Sequence, residues 1–109
     1  MKLKLYIIIL VLGLQSCSGQ KEKINGVSFV ASRDSISSYH ITPLKKVSAN
    51  YVSLMPFAFI KNLNNPEVKF NSSRQWFGET TKGVKQYAAE LGKQGIRIML
   101  KPQIWVWKG

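Results

Sequence analysis

The chain is poor in the residues that build catalytic and metal centres. It has one cysteine, one histidine and five acidic residues in 109. A single cysteine excludes an internal disulfide, and an odd one needs a separate explanation. The one histidine, His40, has no Cys or carboxylate neighbours at ligand spacing, which excludes the usual zinc patterns. No metal and no other cofactor is expected. No glycine-rich phosphate loop is present: "VASRDS" (30–35) stands where a doubly wound nucleotide-binding sheet places its glycines. The longest apolar run, Leu5 to Leu14 ("LYIIILVLGL"), is ten residues. A transmembrane helix needs about 20.

Acidic residues are so few that the balance is +11, sixteen basic against five acidic. Such a charge invites a nucleic-acid partner. The lysines at 21, 23, 45, 46, 61, 69, 82, 85 and 93 are scattered, however, with no stripe of interleaved aromatics. No nucleic-acid partner is expected.

The N-terminus has a clear pattern. Lys2 and Lys4 precede the short apolar run, which suits the h-region of an export signal. "LQSC" (14–17) resembles the lipobox of bacterial lipoproteins, in which a small residue precedes the cysteine that is lipidated. That resemblance implies a signal peptide over 1–16, lipidation of Cys17 and a polar tether over 17–25. It also implies a membrane-anchored location in the bacterial cell envelope, and it accounts for the lone cysteine. The mature chain would carry +9, fourteen basic minus five acidic.

From residue 26 onward, apolar β-branched runs alternate with helical patterns. "GVSFVA" (26–31), "NYVSLMPF" (50–57) and Ile96 to Ile104 read as strands. A short helix is expected with Pro43 in its first turn. A longer one runs from Thr80 to Lys93, with Val84, Tyr87, Ala88 and Leu91 on one face and Gly95 as its left-handed stop. Residues 58–79, rich in Asn, Ser and Pro, read as a long irregular loop of the kind that carries function. Trp76 is expected to anchor that loop against the helix.

The order strand, helix, strand, helix, strand argues for parallel strands joined by right-handed crossovers. In the third strand Ile96, Ile98, Leu100, Pro102 and Ile104 share one face. Arg97, Met99, Lys101, Gln103 and Trp105 share the other, which turns polar toward its C-terminal end. This predicts, over 26–109, an α/β fold that is the N-terminal (βα)2β portion of a (β/α)8 TIM barrel, with a doubly wound sheet as the alternative. The active site of such a barrel lies at the C-terminal strand ends. Lys101, Gln103 and Trp105 are then the candidate substrate-binding residues. Trp107 divides between sugar stacking and loop packing.

"GVSF", "PLKKVSANYVSLMPF", "RQWFGETTKGV" and "GIRIMLKPQIW" together resemble the N-terminal part of glycoside hydrolase family 113, the β-mannanase-like barrels. One departure is Gln103, where family members often carry His after Lys-Pro. The resemblance implies retaining hydrolysis of a β-linked oligo- or polysaccharide by two carboxylates about 5–5.5 Å apart. Glu22, Asp34, Glu67, Glu79 and Glu90 offer no such pair, so no catalytic residue is expected in this chain, and the catalytic glutamates would lie beyond residue 109. The alternative is a non-catalytic exported lipoprotein that binds a glycan or a protein partner.

Overall fold

The computed structural model describes residues 22–108, together with Met1, Lys2, Tyr6 and Gly19. The readings that concern the export signal and Cys17 therefore lie outside the described residues.

The elements run β1 (Gly26–Phe29), α1 (Ser38–Lys46), β2 (Tyr51–Leu54), β3 (Phe57–Asn62) and β4 (Asn65–Lys69). A 3-10 turn (Phe77–Glu79), α2 (Thr81–Lys93), β5 (Arg97–Leu100) and β6 (Gln103–Val106) complete them. The first sheet has the order β1-β2-β5, all parallel. The second has the order β4-β3-β6, with β4 antiparallel and β6 parallel to β3.

This corrects the expected architecture. The described residues form a small mixed α/β fold of six strands in two three-stranded sheets, and not the (βα)2β portion of a TIM barrel. Two local causes account for the difference. Pro56 and Pro102 interrupt the second and third expected strands, so each continues as a separate strand of the second sheet. The stretch 58–79 is not a plain loop either. Its first half forms a hairpin, β3–β4, around a turn at Leu63-Asn64, where the Asn64 N–H donates to Asn62 Oδ1 at 2.9 Å. Pro66 is tolerated because β4 is an edge strand.

Helices α1 and α2 pack on the first sheet. Ile41, Val52 and Leu91 are fully buried, and Tyr87, Leu54, Ile96, Val84 and Ile36 complete the core. Burial of each large aliphatic side chain stabilises by about 1.5–3 kcal/mol. Among the described residues the second sheet has no such cover: Ile104 on β6 is 58% exposed, and Leu100 at the end of β5, where the first sheet stops, is 57% exposed.

Helix ends follow local chemistry. The α2 N-cap is Thr80, whose Oγ1 accepts from the Gly83 N–H at 3.1 Å. Its stop is Gly95 at φ +74, with Gly95 N–H donating to Gly92 O and Ile96 N–H to Leu91 O. A Cβ at Gly83 would lie 1.7 Å from the Phe77 carbonyl oxygen, so glycine there lets the 3-10 turn close onto α2. The first helix starts earlier than Pro43 suggests. Ser37 is its N-cap, the Ser37 N–H donates to His40 Nδ1 at 3.0 Å, and Pro43 sits inside the helix.

Candidate functional site

The second sheet and the segment that returns from it to α2 enclose a groove of about 780 Å³. That volume falls in the range of small-ligand sites, about 300–1,000 Å³. Strand β3 contributes Phe59 and Lys61, and β4 contributes Lys69. Arg74, Trp76 and Glu79 come from the returning segment, and Trp107 and Lys108 from the end of β6.

The returning segment is pinned at three points. Gln75 Nε2 donates to the Phe57 carbonyl at 2.7 Å, which ties it to the start of β3. Asn71, at φ 56, accepts the Thr81 N–H at 2.8 Å and so ties it to the first turn of α2. The Trp76 N–H donates to Glu79 Oε2 at 3.2 Å. These contacts set the position of Trp76, while its indole stays 43% exposed. Trp76 thus lines the groove, and Gln75 and Asn71 do the anchoring expected of it.

An aromatic ladder runs along the second sheet into the groove. Phe57 and Phe59 stack at 6.4 Å between ring centroids, and Phe59 meets Trp107 at 6.5 Å with an interplanar angle of 32°. Trp107 leaves 68% of its surface to solvent. The Arg33 guanidinium lies 5.6 Å from the Trp76 ring centroid, a cation–π contact. An exposed indole with fixed neighbours presents a flat apolar face that suits a pyranose ring.

Lys101, Gln103 and Trp105 stand outside this lining. Lys101 is exposed, and its N–H donates to the Leu54 carbonyl at 2.8 Å. Gln103 is half-buried opposite Phe57, and Trp105 is 55% exposed opposite Phe59. Strand alternation puts Gln103, Trp105 and Trp107 on one face, so the three continue toward the groove along β6. Lys61, Lys69 and Arg74 were hidden in a stretch that reads as irregular. The available signal was the alternation Phe57, Phe59, Lys61 ahead of an Asn-rich turn.

Four of the five carboxylates are engaged locally. Glu22 pairs with Arg97, Glu67 with Lys69 at 3.3 Å and Glu90 with Lys93 at 2.6 Å, while Glu79 holds the Trp76 N–H. Among the described residues no three His, Cys, Asp or Glu side chains gather as a metal site. No helix among them is long and apolar enough to cross a membrane. No family model, curated protein or solved structure matches the chain.

Proposed function

We propose that this chain binds a β-linked oligo- or polysaccharide in the groove between Trp76 and Trp107, as an exported protein held at a bacterial membrane by a lipid on Cys17. The observation that carries this reading is the presence of two exposed indoles, Trp76 and Trp107, beside Phe59 in one groove. Aromatic residues supply large contact area with few rotatable bonds, which makes them dominant contributors to binding. The test is co-sedimentation of the full chain with insoluble β-mannan and with cellulose. Binding that disappears in Trp107→Ala supports the reading. Equal retention of wild type and Trp107→Ala removes the groove from the account.

A second reading keeps the retaining-glycosidase part of the family 113 resemblance without its barrel, which the two-sheet fold rules out. It is favoured by one observation: two of the segments that carry that resemblance flank the groove region. "RQWFGETTKGV" supplies Arg74, Trp76 and Glu79, and "GIRIMLKPQIW" leads through β6 to Trp107. In that reading these residues hold the polymer and the two carboxylates come from beyond them. The described carboxylates are engaged as above or, for Asp34, single. The full chain alone should then release no reducing ends from manno-oligosaccharides. Release that is abolished by Asp34→Asn would place the chemistry in the first loop instead.

A further inference from the structure

The groove is aromatic, but it is also strongly positive. Its lining holds Lys61, Lys69, Arg74 and Lys108 against one carboxylate, Glu79, a balance of four minus one, or +3. Lys69 is partly neutralised by Glu67 at 3.3 Å. Lys61, Arg74 and Lys108 take part in none of the ion pairs among the described residues. Glu79 is occupied with the Trp76 N–H at 3.2 Å. Arg33 adds a further cation against the Trp76 ring.

This distribution favours an acidic polymer over a neutral one. Sugar hydroxyls both donate and accept, so a neutral chain can bond to these donors but leaves their charge without an acidic partner. Here the one lining carboxylate is engaged, and the Gln75 Oε1 accepts the Ser72 N–H at 3.0 Å. Beside the Ser72 hydroxyl, what remains is cationic: the ammonium groups of Lys61 and Lys108 and the guanidinium of Arg74, the last shaped to take a carboxylate by two parallel bonds. Like charges collected around a concave surface also raise the local concentration of anions.

We infer that the groove selects an acidic glycan, a β-linked chain bearing uronate carboxylates, with Lys61, Arg74 and Lys108 meeting the carboxylates while Trp76 and Trp107 stack on the rings. This rests on the glycan reading above and sharpens it. The sugar rings fit the flat indole faces, and the negative charge complements cations that have no other acidic partner. An anionic chain of single-stranded nucleic acid would meet the same two features, and the experiment separates the two.

The full chain is titrated calorimetrically with a β-linked manno-oligosaccharide and with the oligomannuronate of the same linkage and length, at low and at high salt. The oligomannuronate should bind at least about tenfold more tightly at low salt, since each exposed ion pair contributes a fraction of that factor. The preference should shrink at high salt as the charges are screened. Lys61→Gln combined with Arg74→Gln should bring the oligomannuronate down toward the affinity of the neutral sugar. Equal, salt-independent binding of both oligosaccharides overturns the acidic-glycan inference and leaves the glycan reading standing. Binding of neither overturns both. Displacement of the oligomannuronate by a single-stranded oligonucleotide of higher affinity also overturns the inference, because the groove is then a nucleic-acid site.

Discussion

Pro56 and Pro102 lie directly opposite one another in a parallel ladder that runs through both sheets. The register Leu54↔Leu100 and the register Phe57↔Gln103 share one offset, 100 − 54 = 103 − 57 = 46, and 56 + 46 gives 102. Donors on the later strand keep one rhythm across the break. Arg97 N–H reaches Asn50 O, Lys101 reaches Leu54 O, Gln103 reaches Pro56 O and Trp107 reaches Ile60 O, at 2.8–3.0 Å. In a parallel ladder the reciprocal rung would run from the N–H of residue 56 to the Lys101 carbonyl. Proline has no N–H, so that rung is missing and one long pair of strands becomes two short ones. The seam delivers Trp107 beyond the helix-covered sheet and into the groove.

The two prolines should therefore behave differently when replaced. In Pro56→Ala the new amide points at Lys101 O and should appear as a protected site in hydrogen exchange. In Pro102→Ala the new amide points at the open edge, because its neighbours Lys101 and Gln103 already donate inward. It should exchange fast, and the unblocked edge should raise self-association at high concentration. Fast exchange at both positions would contradict the continuous ladder.

Tyr87 ties α2 to the first loop and so to the support of the returning segment. Its hydroxyl donates to the Asp34 carbonyl at 2.8 Å, accepts from the Ser32 N–H at 3.1 Å and lies 2.7 Å from Ser32 Oγ. The ring is almost completely buried and meets Phe29 edge-on at 5.7 Å. Tyr87→Phe keeps the packing and removes the polar tie. The loss should be about 1–2 kcal/mol in chemical unfolding. A variant as stable as wild type would show that water replaces the hydroxyl without cost.

Glu22 and Arg97 join the start of the described chain to β5. The hydrogen bond from Arg97 holds the Glu22 carboxyl below the ordinary glutamate value. The positive charge of Arg97 adds to this, and a weaker hydrogen bond from Asn50 adds the least. Because the folded value is depressed, the stabilisation is present above the ordinary glutamate pKa and is lost as pH falls through the depressed one. Both side chains are more than half exposed, so the effect should weaken with salt. Carboxyl NMR titration should give a higher midpoint for Glu22 in Arg97→Gln. An unchanged midpoint would show that the pair does not persist in solution.

Cys17 is expected to act as an anchor. Each buried methylene of an acyl chain contributes about 0.8 kcal/mol, and stable anchoring takes more than one chain. Expressed in a bacterium with lipoprotein processing, the protein should partition into detergent, with a mass that lacks residues 1–16 and gains the lipid attached to Cys17. Cys17→Ala should remain unprocessed and unlipidated. Identical aqueous partitioning of the two would contradict the assignment.

The parts of the fold legible in the sequence were those set by local rules. Gly95 stops α2 as its position suggests, and Val84, Tyr87 and Leu91 are buried on the face that their spacing defines. The second sheet was not legible, because the Asn-rich composition of 58–79 masked the alternation of β3. Ile96 to Ile104 reads as one apolar strand, and the effect of Pro102 depends on the proline facing it across the ladder. The groove was hidden for the same reason. Lys61, Arg74 and Trp107 are distant in sequence and meet only once the hairpin and the seam have formed. The polar strand tip drew attention to Lys101, Gln103 and Trp105, whereas Trp107 on the same face is the residue that reaches the groove.

The three tryptophans allow the central claim to be tested in one measurement. Their indole N–H signals in a proton–nitrogen NMR spectrum of the full chain are followed while a β-linked oligomannuronate is added. The account predicts saturable shifts for Trp76 and Trp107, which line the groove, and a smaller one for Trp105, which lies outside it. Shifts confined to Trp105, or none at saturating oligosaccharide, would contradict it.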